Sequence, residues 1–184
     1  KFLSQAGDSA IVLAPTGVAA MNAGGQTIHS FFKFPPRLIE PTDIKRLRST
    51  RLIKAIDTMI IDEISMVRSD MLDAIDKSLK LNRASKRPFG GVRMILSGDL
   101  HQLPPVVSNQ EAPILKERHG GQYFFNCAAF REAEFALLAL KHVFRQEDPR
   151  FLALLGALRT GRVTPADEAT LHGLVSHRSA ADAS

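Results

Sequence analysis

Thr58-Met59-Ile60-Ile61-Asp62-Glu63 is the stretch whose reading decides the fold. It is a short, unbroken apolar run, rich in β-branched residues, that stops on two acids. Runs of this kind bounded by turn formers read as strands buried on both faces, the signature of a parallel sheet. Two others match it. Upstream, Ala10-Ile11-Val12-Leu13-Ala14 is closed by Pro15-Thr16-Gly17; downstream, Val92-Arg93-Met94-Ile95-Leu96 is closed by Ser97-Gly98-Asp99. Helical spacing fills the intervals: Leu72, Ile75 and Leu79 share one face, with Asp, Lys and Ser on the other. Phe135 to Leu140 reads as a further strand. Asp148-Pro149 reads as a cap followed by proline in the first turn of a helix that carries Phe151, Leu152, Leu154, Leu155 and Leu158 and ends at Gly161. Thr164-Pro165-Ala166-Asp167 opens another helix, and residues 179–184, small and polar, read as a frayed tail. Strands alternating with helices predict an α/β sheet wound on both faces.

The chain has 184 residues, 45% of them hydrophobic and 23% charged, which suits one globular domain and argues against disorder. The single cysteine, Cys127, excludes an internal disulfide framework and a multi-cysteine metal site. No apolar run approaches the ~20 residues of a membrane helix, and the first residues carry no secretory signal. The expectation is a soluble, intracellular protein with no membrane partner. The net charge of +5 is unevenly spread. Residues 33–54 hold Lys33, Arg37, Lys45, Arg46, Arg48, Arg51 and Lys54 against Glu40 and Asp43; Lys80, Arg83, Lys86, Arg87 and Arg93 form a second basic stretch. Between them stand Asp57, Asp62, Glu63, Asp70, Asp73 and Asp76, against Arg68 alone. This is the pattern of a polyanion-binding protein with a cation site, and equally of solvated helix faces.

Four segments carry candidate chemistry. A strand delivering Asp62-Glu63 at its carboxyl end has the form of the second nucleotide motif (Walker B) of P-loop ATPases: the first carboxylate holds Mg²⁺ through its water shell, and the second orients and deprotonates a water. Apolar runs ending in two acids also occur by chance. Leu96-Ser97-Gly98-Asp99-Leu100-His101-Gln102-Leu103-Pro104-Pro105-Val106 leaves a strand end beside it, where Gln102 can reach a terminal phosphate; the bland alternative is a proline turn with a surface glutamine. Ala14-Pro15-Thr16-Gly17 runs from a strand into a small-residue helix, presenting backbone N–H groups to a phosphate of a nucleotide or of a nucleic-acid backbone. It is followed by Thr27-Ile28-His29-Ser30-Phe31-Phe32, in which His29 reads either as a ligand or as a structural histidine, and Phe31, Phe32 and Phe34 as core or as base-stacking surface. In His142-Val143-Phe144-Arg145-Gln146, Arg145 is placed either to reach a γ-phosphate or to face solvent.

Taken in order, these segments resemble one family, the Pif-type DNA helicases of superfamily 1, relatives of RecD and Dda. APTGVAAMNAGGQTIHSFF resembles motif Ia, MIIDEISMV motif II, LSGDLHQLPPV motif III and HVFRQEDPRFLALLGALRTGRV the motif IV region, together covering residues 10–163. The resemblance implies a RecA-like P-loop NTPase domain and an ATP-driven 5′→3′ helicase acting on single-stranded DNA and duplex junctions in replication, repair or telomere maintenance. It implies Asp62 as the Mg²⁺-associated carboxylate, Glu63 as general base, Gln102 as γ-phosphate sensor and Arg145 as transition-state arginine. Pro15, Thr16, Gly17 and His29 would line the single-stranded DNA path, and residues 107–122 would form the small wedge. Such a protein works in the cytoplasm or nucleoid of a bacterium, or in the nucleus or mitochondrion of a eukaryote.

The chain departs from the family in one respect: it has no Gly-Lys pair, so the phosphate-cradling loop G-x-x-x-x-G-K-[ST] is absent. The family carries that loop just ahead of the position of Lys1, and a second motor domain beyond that of Ser184. The expectation is therefore an internal segment of a first motor domain, lacking the P-loop strand and helix and weak in ATP binding by itself. Other readings are a truncated nucleic-acid-binding or regulatory module without ATPase activity, and an unrelated clamp-loader-type ATPase, which would not account for GDLHQLPPV.

Overall fold

The computed structural model describes residues 9–48, 50–140, 142–144 and 146–181. They form two compact units that meet in sequence between residues 136 and 137.

The first unit is built on the three expected strands. β1 (Ala10–Ala14) leads into α1 (Gly17–Asn22), whose first turn is capped by Thr16 Oγ1 accepting from the Ala19 amide at 3.2 Å. Gly25 then returns the chain so tightly that a Cβ there would collide with the Val12 carbonyl oxygen. β2 (Gln26–Thr27) passes directly into α2 (Ile28–Phe32), capped by Thr27. Next come α3 (Thr50–Ala55), β3 (Thr58–Ile61), α4 (Ser69–Arg83), β4 (Arg93–Leu96), α5 (Glu111–His119) and α6 (Ala128–Glu132). The sheet order is β2-β1-β3-β4, with every pair parallel: Leu13 stands opposite both Gln26 and Ile61, and Ile61 opposite Leu96. All four strands therefore end at one edge.

The core lies between the sheet and its helices. Leu13, Met59, Ile61, Ile28, Leu72, Ile75 and Leu79 are fully buried, each such side chain contributing about 1.5–3 kcal/mol. Phe31, Phe32 and Phe34 belong to this core, Phe32 crossing Phe31 edge-on and stacking on Phe34.

Two expectations are corrected here. The polar face of α4 is largely not solvated: Asp70, Asp73, Asp76, Ser78 and Asn82 are buried, while Lys77 stays exposed. The helix is enclosed by the loops that its polar side chains hold in place. The run from Phe135 to Leu140 is not a strand, and Leu137, Leu138 and Leu140 are exposed. An extended segment needs a neighbour for its N–H and C=O groups, and none pairs with this one among the described residues.

In the second unit, α7 (Pro149–Thr160) is capped by Asp148, which accepts from the Arg150 and Phe151 amides, and ends at Gly161 in the left-handed region (φ 66°). α8 (Pro165–Ala181) begins at the reciprocal pair of Thr164 and Asp167. α8 runs past Ser179, where the sequence suggests fraying. Among the described residues no helix is long and apolar enough to cross a membrane.

Candidate active site

Parallel strands bring the segments that follow them to the same edge. Across the sheet the order is His29, in the first turn after β2; Pro15, Thr16 and Gly17 after β1; Asp62 and Glu63 after β3; and the loop bearing Gln102 after β4. At about 4.8 Å per strand the four strands span about 14 Å. Seven of the eight expected site residues thus share one edge, and Arg145 lies outside the described residues.

Backbone hydrogen bonds stitch these loops together. The Asp62 amide donates to Leu13 O, the Ser97 amide to Ile61 O and the Ile64 amide to Ser97 O, each at 2.9 Å. Glu63 adopts the left-handed region (φ 52°, ψ 43°), a conformation that costs a non-glycine residue roughly 1–2 kcal/mol. It turns the chain sharply from the strand into a short 3₁₀ turn, Ile64–Met66. Gly98 lies against that turn: a Cβ there would stand 3.0 Å from Ile64 N and Cγ2 and 3.2 Å from Ser65 N. Gly98→Ala should therefore push the Gln102 loop away from Glu63. Forcing a methyl group into so close a contact costs about 1–3 kcal/mol. Urea unfolding reads the effect, and unchanged stability would show that the two loops need not touch.

The six acids of residues 57–76 separate into two kinds. Asp57 accepts from the Ser9 amide. Asp70 holds Arg68 and the Ile39 amide, Asp73 the Ala129 amide, and Asp76 the Phe89 amide and Lys80. These four are spent on the fold, so the acidic stretch is not one cation site; among the described residues no three or more His, Cys, Asp or Glu side chains group to hold a metal. Asp62 and Glu63 differ: both are half-buried, and neither side chain has a hydrogen-bond or ion-pair partner among the described residues.

Gln102 is exposed, and its Nε2 donates to Asp99 Oδ2 at 3.3 Å, which holds the side chain back along its own loop. The hydroxyl of Thr16 is engaged in capping α1. His29 is half-buried, and burial, reinforced by the Arg68 guanidinium and opposed by Asp70, lowers its pKa below the usual value. The imidazole should be neutral at pH 7, and an NMR titration should give a midpoint below that of a free histidine. Because the folded pKa lies below the unfolded one, His29 favours folding fully above the unfolded pKa and loses that contribution as pH falls through the folded value. A midpoint at or above the free value would contradict its burial beside Arg68.

Arg68 was not singled out for a role by sequence reasoning. Its guanidinium binds Asp70 through two hydrogen bonds at 2.9 Å, donates to Arg37 O at 2.7 Å and meets Glu111 of α5 at 3.4 Å. Its backbone bridges Tyr123. Five residues past Glu63, it ties the motif II turn to the loop ahead of α3, to α4 and to α5. The signal in the sequence is its being the lone base in an acidic run.

A parallel sheet with these loops at its carboxyl edge defines a RecA-like motor domain of the P-loop NTPase class. Within that class the chain belongs to the PIF1-like helicase family, whose model matches residues 1–168. It is 35% identical over 166 residues to the ATP-dependent DNA helicase PIF1 of Emericella nidulans, covering 86% of this chain and 21% of that protein. To the human ATP-dependent DNA helicase PIF1 it is 30% identical, covering 91% and 26%. Among solved structures, Bacteroides Pif1 in complex with ADP-AlF3 and ssDNA superposes with a TM-score of 0.84 at 43% identity, over 90% of this chain and 39% of that one. Candida albicans Pif1 gives 0.74 at 33%, over 90% and 37%. The chain thus spans about a fifth to two fifths of the length of these relatives.

Proposed function

We propose that this chain is most of the first motor domain of an ATP-dependent 5′→3′ DNA helicase, in which Mg-ATP hydrolysis drives movement along single-stranded DNA inside the cell. One observation carries the reading. Of six neighbouring acids, only the two at the end of β3 keep their carboxylates free of hydrogen-bond and ion-pair partners among the described residues, and they do so where the loops of three adjacent strands meet.

Asp62 suits a magnesium ion that arrives with its nucleotide, since such an ion keeps several waters and takes only one or two carboxylates. When bound, the ion neutralises charge building on the phosphate oxygens. Glu63, turned out of the strand direction, is the base that orients and deprotonates the attacking water. Gln102 senses the terminal phosphate once released from Asp99, and Arg145 is assigned to transition-state charge. Pro15, Thr16, Gly17 and His29 lie on the side of the edge away from Gln102 and are assigned to the DNA backbone. Thr16 offers it the first turn of α1 rather than a free hydroxyl, and His29 a neutral ring. Residues 107–122, which hold α5, are assigned to the wedge at a duplex junction.

The 184 residues hold no Gly-Lys pair, so the phosphate-cradling loop is not among them and the chain alone should bind ATP weakly. In a polypeptide carrying these residues in their native context, ATP hydrolysis should require Mg²⁺ and rise with single-stranded DNA. A fork with a 5′ tail should be unwound and one with only a 3′ tail left intact. Hydrolysis indifferent to DNA would sink the reading.

A further inference from the structure

The two basic stretches look alike in the sequence and differ in the structure. In the second, Lys80 is bound to Asp76, Arg83 donates to the carbonyls of Ile53, Ile56 and Gly90, and Arg87 lines a cleft whose lining also holds the acids Asp57 and Glu134. In the first, Lys33, Lys45, Arg46 and Arg48 all line one open cleft of about 750 Å³. All four are exposed, and none has a hydrogen bond or ion pair through its side chain among the described residues. The one carboxylate in the lining, Asp43, is already held by Arg37 at 2.7 and 2.8 Å.

The cations stand on fixed backbone. The buried Asn82 of α4 accepts from the Leu47 amide at 2.8 Å and donates to Lys45 O at 3.4 Å, anchoring the segment that bears Lys45, Arg46 and Arg48. Lys33 sits at the end of α2 with φ 60°. The floor is the buried cluster of Phe31, Phe32 and Phe34, whose rings are engaged with one another and not presented for stacking. Gln26 and Ser30, chain neighbours of Thr27 and His29, also line the cleft, which reaches from there toward the segment anchored on Asn82 in the last turn of α4.

We infer that this cleft extends the single-stranded DNA path beyond His29, binding phosphates of the strand through Lys33, Lys45, Arg46 and Arg48 without reading its bases. The inference rests on the helicase reading above. Four cations with no side-chain hydrogen bond or ion pair among the described residues, over an acid already held by Arg37, complement a polyanion, and the adjacency of Ser30 to His29 in the chain favours the single strand proposed for that edge over a duplex.

The test is a salt titration of DNA binding by fluorescence anisotropy, on the polypeptide carrying this segment. The variants are Lys45→Gln/Arg46→Gln/Arg48→Gln and, as control, Lys86→Gln/Arg87→Gln. Oligonucleotides range from about 4 to about 16 nucleotides, the span of single-strand site sizes. Each lost contact to a single strand removes about 0.7 from the slope of log K against log salt. The triple variant should therefore lose about 2 on the long strand, little on the short one, and equally on all base compositions. The control should keep its slope. Should the triple variant fold poorly, single Arg46→Gln and Arg48→Gln variants should each lose about 0.7. A long-strand slope unchanged in the triple variant overturns the inference alone, as does an equal loss per charge in the control. So does a loss confined to duplex DNA, or one seen only for an acidic peptide. Absence of DNA binding by the unsubstituted polypeptide overturns the helicase reading as well.

Discussion

In a polypeptide carrying these residues in their native context, replacing Glu63 with glutamine should, on the proposed helicase reading, lower ATP turnover by about 10²–10⁴-fold, the contribution of a positioned general base, while nucleotide affinity stays close to that of the unsubstituted protein. The argument is geometric. Glu63 is held in a left-handed turn at the end of β3, half-buried and with no side-chain partner among the described residues. Glutamine has the same size and backbone preferences, so the turn, the Ile64–Ser97 hydrogen bond and the fit of Gly98 should survive. Only the ability to take a proton is lost. Since no folded-state contact is removed, the melting temperature should not move, which separates this variant from those that damage the fold. Stopped-flow binding of a fluorescent nucleotide, beside steady-state hydrolysis, measures both quantities. Turnover at the parent rate would return Glu63 to an ordinary strand-end acid.

The strands of this fold are legible because they are buried on both faces. Thr58–Ile61 and Arg93–Leu96 begin and end within a residue of where their apolar runs do. The carboxyl-edge cluster follows from that, since parallel strands can only deliver their following loops to one side. The run 135–140 misleads for the same reason the others succeed: apolar, β-prone composition says that a segment can be a strand, and only a neighbour with a free edge makes it one. α4 misleads differently. Asp70, Asp73 and Asp76 recur at helical spacing and read as a wet face, because periodicity cannot distinguish water from a partner's backbone N–H. Ile39, Phe89 and Ala129, whose amides they bind, are 13 to 56 residues away in sequence. The same limit hides the difference between the basic stretches, where Arg83 is consumed by carbonyls while Arg46 and Arg48 have no side-chain partner among the described residues. The left-handed turn at Glu63 leaves no compositional trace, glutamate being an uncommon choice there.

Arg68→Ala should destabilise the first unit by about 3–5 kcal/mol, the cost of removing one partner from a buried ion pair. Arg68 and Asp70 are 12% and 5% exposed, and the arginine is held by a two-point pairing that lysine cannot reproduce. Its loss leaves the Asp70 carboxylate with the Ile39 amide alone, frees Arg37 O and leaves Glu111 with the Ser108 amide. Arg68→Lys, keeping the charge without the fork, should fall between the two. Asp70→Asn added to Arg68→Ala should recover part of the loss, because the amide oxygen still serves Ile39 while the unpaired charge disappears. Urea unfolding of the four proteins measures the series. The damage should also reach the turn after Glu63, which Arg68 ties to α5. A loss below about 1 kcal/mol, the worth of a surface ion pair, would show that the four segments joined by Arg68 hold together without it.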